Sequence, residues 1–152
     1  MVRRSSNNVM KKLSFKIDVY DWDVYLYQLE AKDTSKDVIK VLQKHNIPVE
    51  ENKELLDDID DGSYDGGWTF HNKFQPISIV LLQVFSSENA KHNVYFHEKR
   101  HVEDDIISHL QMYDEAEAAA YLAGYLAIKF LELSKQVKTY KKTKYGKNKK
   151  KR

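Results

Sequence analysis

Cysteine is absent from this 152-residue chain. That excludes disulfides and thiolate ligation, so any transition metal must be held by histidine and carboxylates. Long apolar runs are absent too: none approaches the roughly 18 residues that a membrane span requires. The basic start MVRRSSNNVMKKLSF is not followed by the apolar segment of a secretory signal. Missing signal and missing cysteine together give the expectation of a cytoplasmic protein with no membrane partner. Glycine-rich phosphate loops, nucleophilic serine or cysteine motifs and internal repeats are likewise missing. What remains is a composition 41% hydrophobic and 12% aromatic, with ten tyrosines, which suits one globular domain with a real core.

Acidic residues are absent from both ends. Residues 135–152 carry ten Lys and Arg, and residues 1–12 carry Arg3, Arg4, Lys11 and Lys12. Residues 13–134 therefore hold all 23 acidic residues against eleven basic ones, although the whole chain is only +2. The expected organisation is a basic N-terminal extension (1–12), an acidic domain (13–134) and a basic flexible tail (135–152). Blocks of like charge are usually solvated. An electrostatic arm for nucleic acid is the other reading of the tail. Met10 is a candidate internal start.

Within the domain, Phe15, Ile17 and Val19 alternate, as do Val24 and Leu26, predicting a hairpin that turns over Tyr20–Asp23. A helix follows, capped by Thr34 or Ser35, with Val38, Ile39, Val41 and Leu42 on its apolar stripe and Pro48 beyond its end. ENKELLDDID reads as a short acidic helix. DGSYDGGWTF is a loop leading to a strand over about Trp68–His71. It echoes a calcium loop, but Asn72 stands at the twelfth position and a strand follows. ISIVLLQVF, opened by Pro76, suits a buried strand. One helix is expected over about Glu88–Gln111, capped by Ser86 or Ser87, with Phe96, Val102, Ile106, Ile107 and Leu110 on its buried arc. A last helix over about Asp114–Lys135 is apolar on nearly every side to Ile128 and is expected to be central, with Ala118, Ala119, Ala120, Ala123 and Gly124 admitting a close neighbour. The class is α+β.

The chemistry concentrates in VYFHEKRHVEDD. His97 and His101 stand four apart, so on a helix they share a face one turn apart and can reach one ion. Glu98, turned about 100° away, can address a water on that ion. A catalytic zinc site needs three protein ligands and an open position. The last helix offers Glu115 and Glu117, and Glu117 is preferred, because a carboxylate opening a buried apolar helix needs a partner. Asp114 and Glu117 also have capping-box spacing, which would make Glu117 a helix cap. Lys99 falls on the buried arc of the His97 helix, an odd place for a charge. Its plain alternative is a solvated turn with Lys99–Glu103, Arg100–Asp104 and His101–Asp105 pairs.

His97-Glu98-x-x-His101, followed by Glu117 and AAAYLAGYL, resembles the gluzincin type of zinc metallopeptidase. More narrowly, it resembles short phage- or mobile-element-encoded peptidase-like proteins, in which a YDGG-(W/F)-T-(F/Y) strand precedes the zinc helix. The similarity covers about residues 60–130. It implies a small zincin-like domain, with the hairpin and short strands packed on the HExxH helix and a buried C-terminal helix. It implies Zn2+ held by His97, His101 and Glu117, Glu98 as general base, and a peptide or protein substrate in the cytoplasm of the host cell. Departures are Lys99-Arg100 and the basic tail. Tyr121, Tyr125, His71 and His109 are the candidates for stabilising an oxyanion, and Asp105 for orienting a ligand histidine. The competing expectation is a non-enzymatic, nucleic-acid-associated or phage structural module that keeps the fold and binds through its tail.

Overall fold

The computed structural model describes residues 10–137 apart from 65, 73, 84 and 86. Strands β1 (Lys11–Ile17) and β2 (Trp22–Gln28) form the expected antiparallel hairpin. Its turn comes earlier than expected, as a 3-10 turn over Asp18–Tyr20 closed by Asp21 in the left-handed region (φ 49°). Val19 therefore sits exposed at the tip rather than in a strand. Helices α1 (Ser35–Lys44) and α2 (Lys53–Asp61) follow. Thr34 opens α1 in a capping box, its backbone N–H donating to Asp37 Oδ2 at 2.8 Å. The chain then enters β3 (Gly67–Phe70) and β4 (Ile77–Leu82), and ends in a hairpin of long helices, α3 (Glu88–His109) and α4 (Ala116–Ser134).

The four strands make one mixed sheet in the order β1-β2-β4-β3. β2 and β4 are parallel, and β3 runs antiparallel to β4 at the edge. Both faces are covered. Val24, Leu26, Val80 and Leu82 point toward α3 and α4, where Tyr95, Val102, Ile106, Leu126 and Phe130 close one cluster. Tyr27, Ile79, Leu81 and Phe70 point the other way, toward Val38, Leu42, Leu55 and Leu56 of α1 and α2. Burial on both sides is why ISIVLL is apolar without alternation. The class is α+β, with helices on both faces of the sheet.

Three expectations change. Lys11 and Lys12, assigned to the basic extension, pair with Gln28 and Tyr27 in the sheet. At the other end Val137 packs in the core, and Lys11 Nζ donates to Gln136 O at 3.0 Å. The rest of both basic ends (1–9 and 138–152) lies outside the described residues, as do Ser86 and Asp65; the α3 cap is Ser87, which accepts from Ala90 N–H at 3.1 Å. Finally, α4 is not buried all round. Leu122, Leu126, Phe130 and Leu133 form its inner stripe, while Tyr121 and Ile128 face solvent and Gly124 has no neighbour within reach of an added Cβ. Phe96 of α3 and Leu110, just past its end, are likewise partly exposed. The alanine-rich composition of α4 reflects helix propensity rather than a close-packed neighbour. Among the described residues no helix is long and apolar enough to cross a membrane.

Candidate metal centre

β3 runs alongside α3 and presents its odd-numbered row to it. Gly67 comes first: a Cβ there would lie 2.6 Å from Glu98 Cγ, so only glycine permits this approach. Thr69 is next and donates from Oγ1 to Glu98 Oε2 at 2.6 Å. His71, just past the strand, bonds Asp105 Oδ1 through Nδ1 at 2.7 Å. Gly67, Thr69 and His71 thus track a helix stripe that includes Glu98, His101 and Asp105, with His101 between the two strand-bound carboxylates.

His97 and His101 lie where the helical spacing predicts. Their Nε2 atoms stand 3.2 Å apart on the exposed side of α3. Two zinc–nitrogen bonds of about 2.0–2.1 Å at a tetrahedral angle hold their nitrogens about 3.3 Å apart, so the pair fits two positions of one site. Glu98 is only 3% exposed, with Oε1 4.0 Å from His97 Nε2. Thr69 occupies Oε2, which leaves Oε1 as the oxygen facing the histidines.

Glu117 does not join them. Lys91 Nζ donates to Ser134 O at 2.7 Å, and the Tyr95 and Phe130 rings lie 6.4 Å apart. In this antiparallel hairpin the paired residue numbers add to a constant, so His101 is level with Gly124 and Glu117 with Ser108. Seven residues of helix separate the two levels, about 10 Å. Glu117 is exposed, so the premise of a buried carboxylate in need of a cation fails, and Glu115, farther along, is exposed as well. Neither is a hydrogen-bonded cap: α4 begins after Glu115 with no side-chain cap bond. Among the described residues no three His, Asp or Glu side chains converge as a ready metal site. The histidine pair fits zinc; the His97–His101–Glu117 triad does not assemble.

Lys99 has a partner that the charge pattern foretold, in a place that it did not. Its ammonium bonds Glu103 one turn on, and Arg100 reaches the same carboxylate at 3.2 Å. Glu103 is 2% exposed, so this is a buried pair rather than a solvated turn. Arg100 also pairs with Asp104 at 3.0 Å. Asp105 does not pair with His101; it bonds His71, and burial pushes its carboxyl above the ordinary range while that bond opposes the shift. Of the four oxyanion candidates, Tyr121 faces solvent, Tyr125 Oη is bonded to Lys16 O, and His109 packs edge-on against Trp22. His71 alone contacts the His101 stripe. No family model, curated protein or solved structure matches this chain.

Proposed function

We propose that this chain is a zinc-dependent, peptidase-type hydrolase in which His97 and His101 hold the metal and Glu98 is the general base. The observation that carries this reading is the convergence of two Nε2 atoms at 3.2 Å beside a buried carboxylate that, among the described residues, has no Lys or Arg partner. Zinc bound there would supply Lewis-acid polarisation of a substrate carbonyl. Glu98 Oε1 would receive a proton, while Thr69 holds Oε2 and so fixes the carboxylate plane. Among the described residues β3 has a strand neighbour on one side only, and an extended peptide could add on the other as a further strand. β4 (Ile77–Leu82) offers no such edge, because it lies between β2 and β3. The absence of cysteine suits a cytoplasmic setting.

The test is a metal assay on purified protein. About one zinc per chain is expected, lost in His97→Ala. Glu98→Gln should keep the metal and lose hydrolysis of a peptide library. Metal-free, folded protein from zinc-replete growth would sink the reading.

A second reading, a non-enzymatic module that binds nucleic acid through its tail, is favoured by the displaced Glu117 and by the ten basic residues of 135–152. It requires salt-dependent DNA or RNA binding that weakens when residues 136–152 are removed.

A further inference from the structure

We infer that the third protein ligand of this centre is His71, delivered from the end of β3 and oriented by Asp105, so that the site is a three-histidine one. This rests on the metal-binding reading above and departs from the His-His-Glu set that the sequence resemblance implies.

Four observations converge on it. First, the α3–α4 register, anchored by Lys91–Ser134 and Tyr95–Phe130, holds Glu117 about two helical turns from His101, and rigid helices leave no local way to close that gap. Second, β3 is tied to α3 on both sides of His101, through Thr69 to Glu98 at 2.6 Å and through His71 to Asp105 at 2.7 Å. The strand therefore brings the His71 side chain within about a turn of His101.

Third, the His71–Asp105 contact has the polarity of a ligand histidine. An ionised carboxylate only accepts, so Nδ1 carries the proton and the Nε2 lone pair is left free. Histidines that bind metals commonly donate their other ring N–H to a carboxylate in this way, which fixes the tautomer and raises basicity. His97 and His101 also present Nε2, giving three nitrogens of one kind. Fourth, the His71 side chain is 67% exposed, so little packing resists its turn toward the pair, whereas Asp105 is mostly buried and serves as a fixed pivot. Asp105 is a poor ligand in its own right: it stands two turns from His97, about 12 Å along the axis.

The experiment strips the full-length protein, reloads it with Zn2+ or Co2+, and compares wild type with His71→Ala, Asp105→Asn, Glu117→Ala and His97→Ala. His71→Ala should weaken zinc binding at least 100-fold and reduce the visible cobalt absorption that marks a four-coordinate site. Asp105→Asn should weaken binding about 10-fold, the lower end of the effect of outer-shell changes. Glu117→Ala should match wild type. Both His71 and Glu117 are exposed, so neither change threatens the fold, and circular dichroism checks this. Loss of zinc in Glu117→Ala, or wild-type zinc and cobalt behaviour in His71→Ala, overturns the assignment while leaving a His97-dependent metal site intact. Zinc binding that is absent from wild type, or that is present and unaltered by His97→Ala, overturns the parent reading as well.

Discussion

The two faces of the sheet bury polar groups on different terms. On the α1/α2 face they answer one another locally: Tyr27 Oη and His45 Nε2 lie 2.9 Å apart inside an otherwise apolar cluster. On the α3/α4 side, among the described residues, three formally charged side chains are almost fully buried, Lys91, Glu98 and Glu103. Lys91 is matched by Glu88 and by the carbonyls of Ser134 and Val137, which it caps at the end of α4. Glu103 is matched by Lys99 and Arg100. Among the described residues Glu98 has only a threonine hydroxyl and a histidine at 4.0 Å. Burying an ionised carboxylate without a cation is costly. The difference separates charges matched by an opposite charge or by carbonyls from one that, among the described residues, has no Lys or Arg partner, and that one stands between a histidine pair and the edge strand β3.

Neutralising the two glutamates should break this comparison most sharply. Glu103→Gln leaves the largely buried Lys99 ammonium facing an amide and should cost about 3 kcal/mol, at the low end for breaking a buried pair because Arg100 can turn to solvent. Glu98→Gln keeps an oxygen for the Thr69 hydroxyl and removes an unmatched charge. In metal-free protein it should fall within about 1 kcal/mol of wild type, or above it. Urea unfolding of both variants, with metal chelated, checks the pair. Equal losses would mean that Glu98 is as structural as Glu103.

Gly67→Ala should have the next largest effect. The added Cβ would meet Glu98 Cγ at 2.6 Å, so strand and helix must separate or the carboxylate must swing away. Overpacking of this kind costs about 1–3 kcal/mol. Because the displaced group is Glu98, the proposed function requires hydrolysis to fall further than stability alone explains, with zinc retained. The same substitution at the exposed Gly124, where nothing lies within 4 Å, is the control and should be neutral or slightly stabilising.

Much of this was legible along the chain. Alternation in Phe15–Ile17 and Val24–Leu26, the Thr34 cap and the unbroken ISIVLL run each state a local preference that packing then honours. The His97–His101 pair was legible for the same reason, since four residues of helix bring two side chains together whatever else the chain does. The place of Glu117, exposed and apart from the pair, was not legible, because its distance from His101 depends on where α3 stops and how tightly the hairpin turns, and residue spacing is silent on both. The burial of Lys99 with Glu103 was legible in part: the i,i+4 spacing named the partners and the helical wheel put Lys99 on the buried arc, but nothing in the spacing put Glu103 there with it. His71 carried one usable signal. In Gly67-x-Thr69-x-His71, period-two alternation puts three small or polar residues on one strand face, unusual for a face that meets a helix.

The smallest effect distinguishes the two faces by pH. Burial lowers the affinity of His45 for protons, with Lys44 and Lys12 adding to the effect, so His45 is held neutral in the fold. The unfolded chain takes up that proton near the ordinary histidine value, about 6.5. As pH falls below 6.5 the unfolded state binds more protons than the native one, and stability drops until the folded value is passed. The slope cannot exceed about 1.4 kcal/mol per pH unit for one proton. Asp105 works in the opposite sense: its raised value makes the native state the better proton binder, so its contribution declines as pH rises above the ordinary aspartate range. His45→Gln keeps a partner for the Tyr27 hydroxyl but cannot titrate. Between pH 7 and pH 5 its urea midpoint should therefore fall less than that of wild type, whereas Asp105→Asn, on the other face, removes the opposing contribution and should not lessen that decline. An identical decline in wild type and His45→Gln would place the acid sensitivity elsewhere and remove the α1/α2 face from the comparison.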